Sequence, residues 1–159
     1  SAASDVYKRQ LNDSVGGVDV VSPETIGEFV EGESYHLVGQ QAESFVRTRD
    51  TSKTDSNNMR MQRQKVYIQS FMNTVLQQTK KDLTTPIDLF NASAPYSCTN
   101  LNPSKVSYLA QQAVLGGMNG IDMVSVPGQV AMGSKYAEFN VSEAEFYQLF
   151  LSIYYTKIE

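Results

Sequence analysis

Cysteine, histidine and tryptophan are nearly absent from this sequence. Its 159 residues include one cysteine, Cys98, one histidine, His36, and no tryptophan. A single cysteine excludes an internal disulfide and argues against a metal site ligated by cysteines. His36 is the only candidate for a histidine base, but a lone histidine between Tyr35 and Leu37 is more often a packing or surface residue.

Long apolar runs are also lacking. No stretch approaches the ~18 apolar residues of a membrane-spanning helix, and no charged-then-apolar signal peptide opens the sequence as given. The composition, 41% hydrophobic and 19% charged, is typical of a globular protein that folds as one domain. The net charge of -4 argues against general nucleic-acid binding, which usually requires a broad basic face.

The first ten residues, SAASDVYKRQ, are polar and lack periodicity. Their codons can be written as a transposase sequencing adapter read in frame. We therefore interpret residues 1–10 as a non-native leader and residues 11–159 as the C-terminal part of a single domain that begins further upstream. The alternative is a genuine polar N-terminus.

Arginine is scarce but concentrated. The chain has five arginines, and four of them lie within residues 47–64, which we call the arginine segment. Residues 47–65 hold six basic and two acidic side chains inside an acidic chain. A guanidinium can bind a phosphate or a carboxylate through two parallel hydrogen bonds, so this concentration indicates an anion site. The alternative is a solvated charged face.

The pattern before this segment predicts a turn, a strand and a short helix. Gly16 and Gly17 suit a turn into a β-branched strand over residues 18–21. Residues 24–30 are weakly strand-like, and residues 37–46 have helical spacing. If that helix ends near Val46, Arg47 and Arg49 continue in extended backbone and point the same way.

A longer helix is predicted over residues 58–79. We centre its buried stripe on Ile68, together with Met61, Phe71, Met72 and Val75, which we assign to the core rather than to a ligand. On a helix of 100° per residue, Gln64 then lies on the inner face, Arg60 at its margin and Arg63 nearer solvent. Alternatively, Gln64 could form hydrogen bonds with the backbone of a neighbouring loop.

The second half alternates further helices and strands. Residues 83–101 are predicted as a loop with at most one turn of helix because of Pro86 and Pro95. Asn102 is predicted to cap a helix that runs to Leu115. Strands are expected at residues 121–126 and 136–139, and residues 142–145 form a capping box before a last helix. The fold class is therefore α/β or α+β.

Several of these motifs together resemble the LytR-CpsA-Psr family of bacterial cell-envelope proteins. They are GGVDV at 16–20, YHLVGQQAESFVRTR at 35–49, the following Asp55, Arg60, Arg63 and Gln64, and VSVPGQ and MGSKYAEFNVSE near the end. The resemblance rests on the R-x-R pair, acidic loop and R-x-x-R-Q pattern as a set, and it covers most of residues 11–159.

The resemblance implies a fold, an activity and a location. The expected fold is a three-layer sandwich with a central mixed β-sheet flanked by helices, truncated at its N-terminus. The expected activity is a phosphotransferase that attaches glycopolymers of the teichoic acid or capsule type, carried on polyprenyl pyrophosphate, to peptidoglycan. It acts at the extracytoplasmic face of the bacterial membrane, held by an N-terminal anchor that this chain does not contain.

The resemblance also implies the site residues. Arg47, Arg49, Arg60 and Gln64 are expected as catalytic residues at the pyrophosphate head group. Arg63 and Asp55 are expected to bind substrate. Asp55 stands five residues before Arg60, where the family's spacing is nearer three, and Asn57 occupies that place. Mg²⁺ is the implied cofactor, and its acidic ligands are expected upstream of residue 16.

Two other functions remain open at this point. The chain could be a non-catalytic module that binds an anion or a lipid pyrophosphate. Transcriptional attenuation, which older names for the family suggest, is disfavoured by the acidic charge and by the lack of a recognisable helix-turn-helix.

Overall fold

The computed structural model describes residues 9–50, 52, 56–121, 123–133 and 137–155. The chain divides into two compact units, Ser1–Asp122 and Met123–Glu159. Two pairs of short antiparallel strands are each followed by helices, so the predicted α/β or α+β class is confirmed in its α+β form. The strands in the described ranges pair only in an antiparallel sense, as two two-stranded sheets, and the mixed central sheet stays a prediction.

The described elements follow one another in a simple order. A helical segment at residues 9–14 opens the described part. The first unit then contains β1 (Val18–Val21), β2 (Ser34–Leu37), α1 (Gly39–Arg47), α2 (Ser56–Lys81), α3 (Thr85–Ser93), a 3-10 turn (Ala94–Tyr96) and α4 (Pro103–Leu115). The second unit contains β3 (Gly128–Met132), β4 (Ala137–Val141) and α5 (Glu143–Tyr154).

The core of the first unit lies between the β1–β2 hairpin, α1 and α2. Phe29 lies at its centre, with its ring edge-to-face against Phe45 at 5.0 Å and against Tyr35 at 5.2 Å. Such T-shaped pairs are favoured by the quadrupoles of the rings. The buried apolar residues are Val15, Val18, Val20, Ile26, Phe29, Leu37, Ala42 and Phe45. This core fixes α1, and with it the start of the arginine segment.

The turn before β1 forms as the glycine pair predicts. Both glycines have positive φ, and a Cβ at Gly17 would lie 2.7 Å from His36 Nε2. His36 stands opposite Asp19 in the hairpin, and its Nδ1 lies 2.7 Å from Asp19 Oδ1. Its Nε2 lies 3.0 Å from the Gly16 carbonyl oxygen. Because both ring nitrogens face acceptors, the doubly protonated imidazolium fits this position best.

The hydrogen bond to Asp19 raises the pKa of His36 above its ordinary value of 6.5. A raised folded-state pKa means that His36 stabilises the fold fully below the unfolded value and that this contribution is lost as the pH rises through the folded pKa. We therefore expect the urea midpoint to fall as the pH rises above about 6.5, the ordinary value of the unfolded state. His36→Gln should remove that slope, and an unchanged slope in the variant would assign the pH dependence to another group.

Two polar side chains of α2 connect it to the start of the unit. Tyr67 donates to Asn12 Oδ1 at 2.9 Å, and the buried Asn12 amide donates to the Leu37 carbonyl at 2.9 Å. Burial raises the pKa of Tyr67 to about 12, so its hydroxyl stays a donor at neutral pH. Further along the helix, Gln78 donates to the Val15 carbonyl at 2.6 Å.

Several predicted elements are wrong. Residues 85–93 form α3 rather than a loop, because Pro86 stands in the first turn of the helix, where its missing N–H costs nothing. Residues 24–30 form only one isolated bridge, between Ile26 and Phe29. No strand is present at residue 121 or at 123–126, the described part of the strand predicted there. Residues 137–141 do form a strand, β4.

The predicted helix ends are closer to the observed ones than the predicted buried faces are. Asn102 caps α4 by accepting from the Lys105 N–H, as predicted, whereas the Ser142 side chain makes no capping bond to α5. Ile68, Met61 and Met72 on α2 are exposed, so the stripe centred on Ile68 is wrong, although Phe71 and Val75 do pack on the core. Hydrophobic spacing alone misplaces this face because polar contacts orient the first turns of α2.

In the part of the chain that the structure describes, none of the helices combines the length and apolarity needed to cross a bilayer.

Candidate anion site at the α1–α2 junction

The carboxyl end of α1 is held by two neighbouring side chains of α2. Gln64 Nε2 donates to the Val46 carbonyl at 3.2 Å. Arg63 donates from Nη1 to the Phe45 carbonyl and from Nη2 to the Thr48 carbonyl. The last carbonyls of a helix have no partner within it, so side-chain donors at this point satisfy groups that would otherwise be buried unpaired.

The third donor of Arg63 binds a carboxylate. Its Nε lies 2.7 Å from Glu24 Oε1, and the side chains of the two residues are 0% and 8% exposed. A buried charge is tolerated when it is paired and its hydrogen bonds are satisfied. The guanidinium of Arg63 is thus occupied on three sides by Glu24, Phe45 and Thr48.

Arg47 ends α1 and faces solvent. Its side chain is 58% exposed, and its Nη1 lies 2.8 Å from Glu43 Oε1, one turn earlier. The other oxygen of Glu43 lies 3.4 Å from Arg9 Nε. Glu43 therefore holds Arg47 on the outer side of the helix end and partly balances its charge.

Arg49 links the two helix ends. Its Nε donates to Ser56 Oγ at 3.1 Å, and Ser56 is the first residue of α2. The exposed Arg49 therefore lies beside the amino end of α2. Backbone N–H groups at a helix N-terminus point outward and the helix dipole is positive there, so this is a favourable place for an anion.

Arg60 lies one turn into α2. Its Nη2 donates to Asn57 Oδ1 at 2.9 Å. Its Nε is buried and has no hydrogen-bond partner among the described residues. Buried donors are nearly always paired, so an orphan of this kind needs an explanation. An anion bound at the start of α2, beside Arg60, would supply an acceptor.

These contacts correct the placement of one predicted site residue. Arg63, expected nearer solvent, lies in the interior with no exposed surface. The prediction is wrong because a periodicity count treats arginine as a surface residue, whereas Glu24 and two carbonyls make its burial favourable. Gln64 lies on the inner face, as expected, and its backbone contact is with the Val46 carbonyl in the last turn of α1 rather than with a loop.

The remaining predicted residues lie in or beside the arginine segment. Asp55 falls outside the described residues. Asn57, which occupies the place of the family's acidic residue, contacts Arg60. Sequence reasoning missed Glu24 entirely, because nothing in the local pattern around it distinguishes a buried carboxylate from a loop residue.

The residues that the structure describes include no group of three or more His, Cys, Asp or Glu side chains placed to hold a metal ion. The ligand set for magnesium is therefore not found in those ranges, and magnesium binding stays a prediction from the resemblance. Arg47, Arg49 and Arg60 carry only hydrogen-bond donors on their side chains and would contact phosphate oxygens rather than a metal.

Comparison with known proteins gives a consistent result. Residues 9–151 match the LytR_cpsA_psr family. Among curated proteins, no sequence matches. Solved structures with the same fold include Lin1025 from Listeria innocua (20% identity, TM-score 0.64), TagU from B. subtilis (18%, 0.61) and a LytR-Csp2A-Psr enzyme from Actinomyces oris (16%, 0.62).

The three matches cover 92%, 95% and 96% of this chain but only 64%, 62% and 61% of the other chains. The chain therefore spans less than two thirds of the length of these structures. At these identities the similarity establishes the fold alone.

Proposed function

Because the chain belongs to the LytR-CpsA-Psr family, we propose that its arginine segment binds the pyrophosphate of a lipid-linked glycopolymer. The complete protein would then transfer the glycopolymer to peptidoglycan at the outer face of the bacterial membrane. The lipid is a polyprenyl chain, and the glycopolymer is of the teichoic acid or capsule type.

One observation carries this proposal. Arg49 donates a hydrogen bond to Ser56, the first residue of α2. Arg60, one turn later, has a buried Nε without a hydrogen-bond partner in the described residues. Two guanidinium groups therefore lie at the amino end of a helix that already favours anions. A pyrophosphate has enough oxygens to engage both, and we propose that Arg47, at the end of α1, adds a third contact.

The proposed chemistry is a phosphoryl transfer. A peptidoglycan hydroxyl attacks the phosphorus that carries the glycopolymer, a new P–O bond forms, and the bond to the second phosphate breaks. The hydroxyl proton passes to solvent, and the polyprenyl phosphate leaves with the electron pair of the broken bond. Catalysis of such a step depends mainly on positioning the phosphate and on neutralising its charge. Arginine side chains can do both, because they are positively charged and donate several hydrogen bonds.

Each residue of the site would have a separate role in binding the phosphates. Arg49 and Arg60 would bind the phosphate oxygens between the helix ends, and Arg47 would bind from the α1 side while Glu43 holds it in place. Gln64 fixes the α1 end through Val46, and its contact with the head group stays a prediction. Magnesium, if bound by residues of the complete protein, would supply further neutralisation of phosphate charge.

Calorimetric titration of the chain with farnesyl pyrophosphate, a short polyprenyl pyrophosphate, tests this proposal. Several charge-assisted hydrogen bonds of about 1.5–3 kcal/mol each should give measurable binding. Farnesyl monophosphate, which has the same lipid and one phosphate fewer, should bind about 10-fold more weakly if one such bond is lost. Equal affinity for the two, or no binding, would contradict a pyrophosphate site.

A product-release assay separates the enzyme from a binding module. Addition of a peptidoglycan acceptor and a lipid-linked glycopolymer to the complete protein should release polyprenyl phosphate. Binding without release would favour the non-catalytic module.

A further inference from the structure

We infer that Arg63, held by Glu24, is a positioning residue that sets the direction in which Arg49 leaves the end of α1 and does not itself touch the anion. This inference rests on the proposed function, since it concerns how an anion-binding arginine is oriented. It also assigns Arg63 a role different from the substrate contact that the sequence implies.

The burial of Arg63 removes it from any ligand. Its side chain has no exposed surface, and three of its nitrogens already bond Glu24, Phe45 and Thr48. An incoming phosphate would have to displace Glu24 and leave that carboxylate buried and unpaired. Such an exchange is unfavourable because the loss of one partner of a buried pair exposes the full desolvation cost of the other.

The Thr48 carbonyl is the point at which Arg63 acts on the site. Thr48 lies between Arg47 and Arg49, and its backbone is extended, with φ -54° and ψ 133°. The carbonyl belongs to the planar peptide group that joins Thr48 to Arg49. A hydrogen bond that fixes the direction of this carbonyl therefore fixes the orientation of the whole peptide group, including the backbone nitrogen of Arg49. Arg63 Nη2 holds this carbonyl from the interior, and the side chain of Arg49 reaches Ser56.

A second hydrogen bond, to the Phe45 carbonyl, holds Arg63 against the end of α1. Arg63 Nη1 holds this carbonyl in the last turn of α1, while Glu24 fixes the guanidinium plane through Nε. One rigid, planar group thus joins the loop at Glu24, the end of α1 and the peptide before Arg49. Lysine could keep the charge pair with Glu24, but a single ammonium cannot reproduce the three-way planar arrangement.

The test compares Arg63→Lys with a matched control. Leu76→Ala removes a buried side chain from the same helix, away from the arginine segment, and should lower stability without moving Arg49. Affinity for farnesyl pyrophosphate is measured at a temperature at which each variant is fully folded. We expect Arg63→Lys to bind about 10-fold more weakly, since small misplacements of binding groups have effects of this order or larger. Leu76→Ala should bind like the unchanged chain.

A second measurement needs no ligand. The Nε–H signal of Arg49 in a ¹H–¹⁵N spectrum reports its contact with Ser56. It should shift or broaden in Arg63→Lys and stay in place in Leu76→Ala. An unmoved Arg49 signal in Arg63→Lys would overturn the inference, whatever the binding result.

The two proposals therefore fail separately. If the unchanged chain binds the probe and folded Arg63→Lys binds it equally well, Arg63 is merely structural and the anion site stands. If the unchanged chain does not bind, the proposed function fails, and the Arg49 signal still decides whether Arg63 orients this residue.

Discussion

Replacing Arg63 with methionine is expected to lower the free energy of unfolding by about 3–5 kcal/mol, the range found when one partner of a buried ion pair is removed. The variant leaves the Glu24 carboxylate, 8% exposed, without its partner, and it leaves the Phe45 and Thr48 carbonyls without their donor. Urea denaturation followed by the amide signals of β1 measures this loss within the first unit.

The double variant Glu24→Met/Arg63→Met provides the control. It removes both charges, so it should be more stable than the single variant, while the two carbonyls still lack donors and recovery stays partial. A loss below about 1 kcal/mol in Arg63→Met would place Arg63 at the surface and contradict the structure.

Replacing both Arg47 and Arg49 with glutamine is expected to have the largest effect on binding. Two charge-assisted hydrogen bonds of about 1.5–3 kcal/mol each correspond to at least a 100-fold loss of affinity for farnesyl pyrophosphate. Both arginines are exposed, so the free energy of unfolding should change by less than about 1 kcal/mol. In the complete protein, the same variant should lose ligase activity.

The control for charge is Lys80→Gln/Lys81→Gln. This variant also removes two positive charges, but from the far end of α2. Affinity should remain close to that of the unchanged chain, because exposed charges beyond about 10 Å are screened at ordinary salt. Equal losses in the two double variants would mean that net charge, rather than the arginine segment, attracts the anion.

The sequence predicts the parts of this fold that depend on local signals. Gly16 and Gly17 place the turn before β1, Asn102 places the start of α4, and the polar residues before Asn58 place the start of α2 within two residues. Each of these features is decided by residues next to it in the chain. The R-x-R and R-x-x-R-Q motifs likewise identify the family, which residues 9–151 match.

Burial of a charge cannot be predicted in the same way. Arg63 and Glu24 are 39 residues apart, and neither has a neighbour that indicates its partner. Hydrophobic spacing assigns polar residues to the surface, and it therefore rotates the first turns of α2 so that Arg63 faces solvent. Tertiary contacts override that rule, since three hydrogen bonds to Glu24 and the α1 carbonyls offset the cost of burial.

The apolar faces of α4 and α5 illustrate a different limit. Leu109, Phe146 and Ile153 belong to stripes with helical spacing, yet they are 54%, 43% and 50% exposed. Spacing predicts which face of a helix is apolar but not whether another element covers it. In the described residues, the second unit is a two-stranded hairpin and one helix, which is too small to bury the face of α5 completely.

Arginine Nε–H spectroscopy during titration with farnesyl pyrophosphate tests the central claim most directly. The chain has only five arginines, so each signal can be assigned by single replacements. We predict that the signals of Arg47, Arg49 and Arg60 shift together with one dissociation constant, while the signal of the buried Arg63 stays in place. Stationary signals for Arg49 and Arg60 at saturating ligand would contradict a pyrophosphate site at the α1–α2 junction.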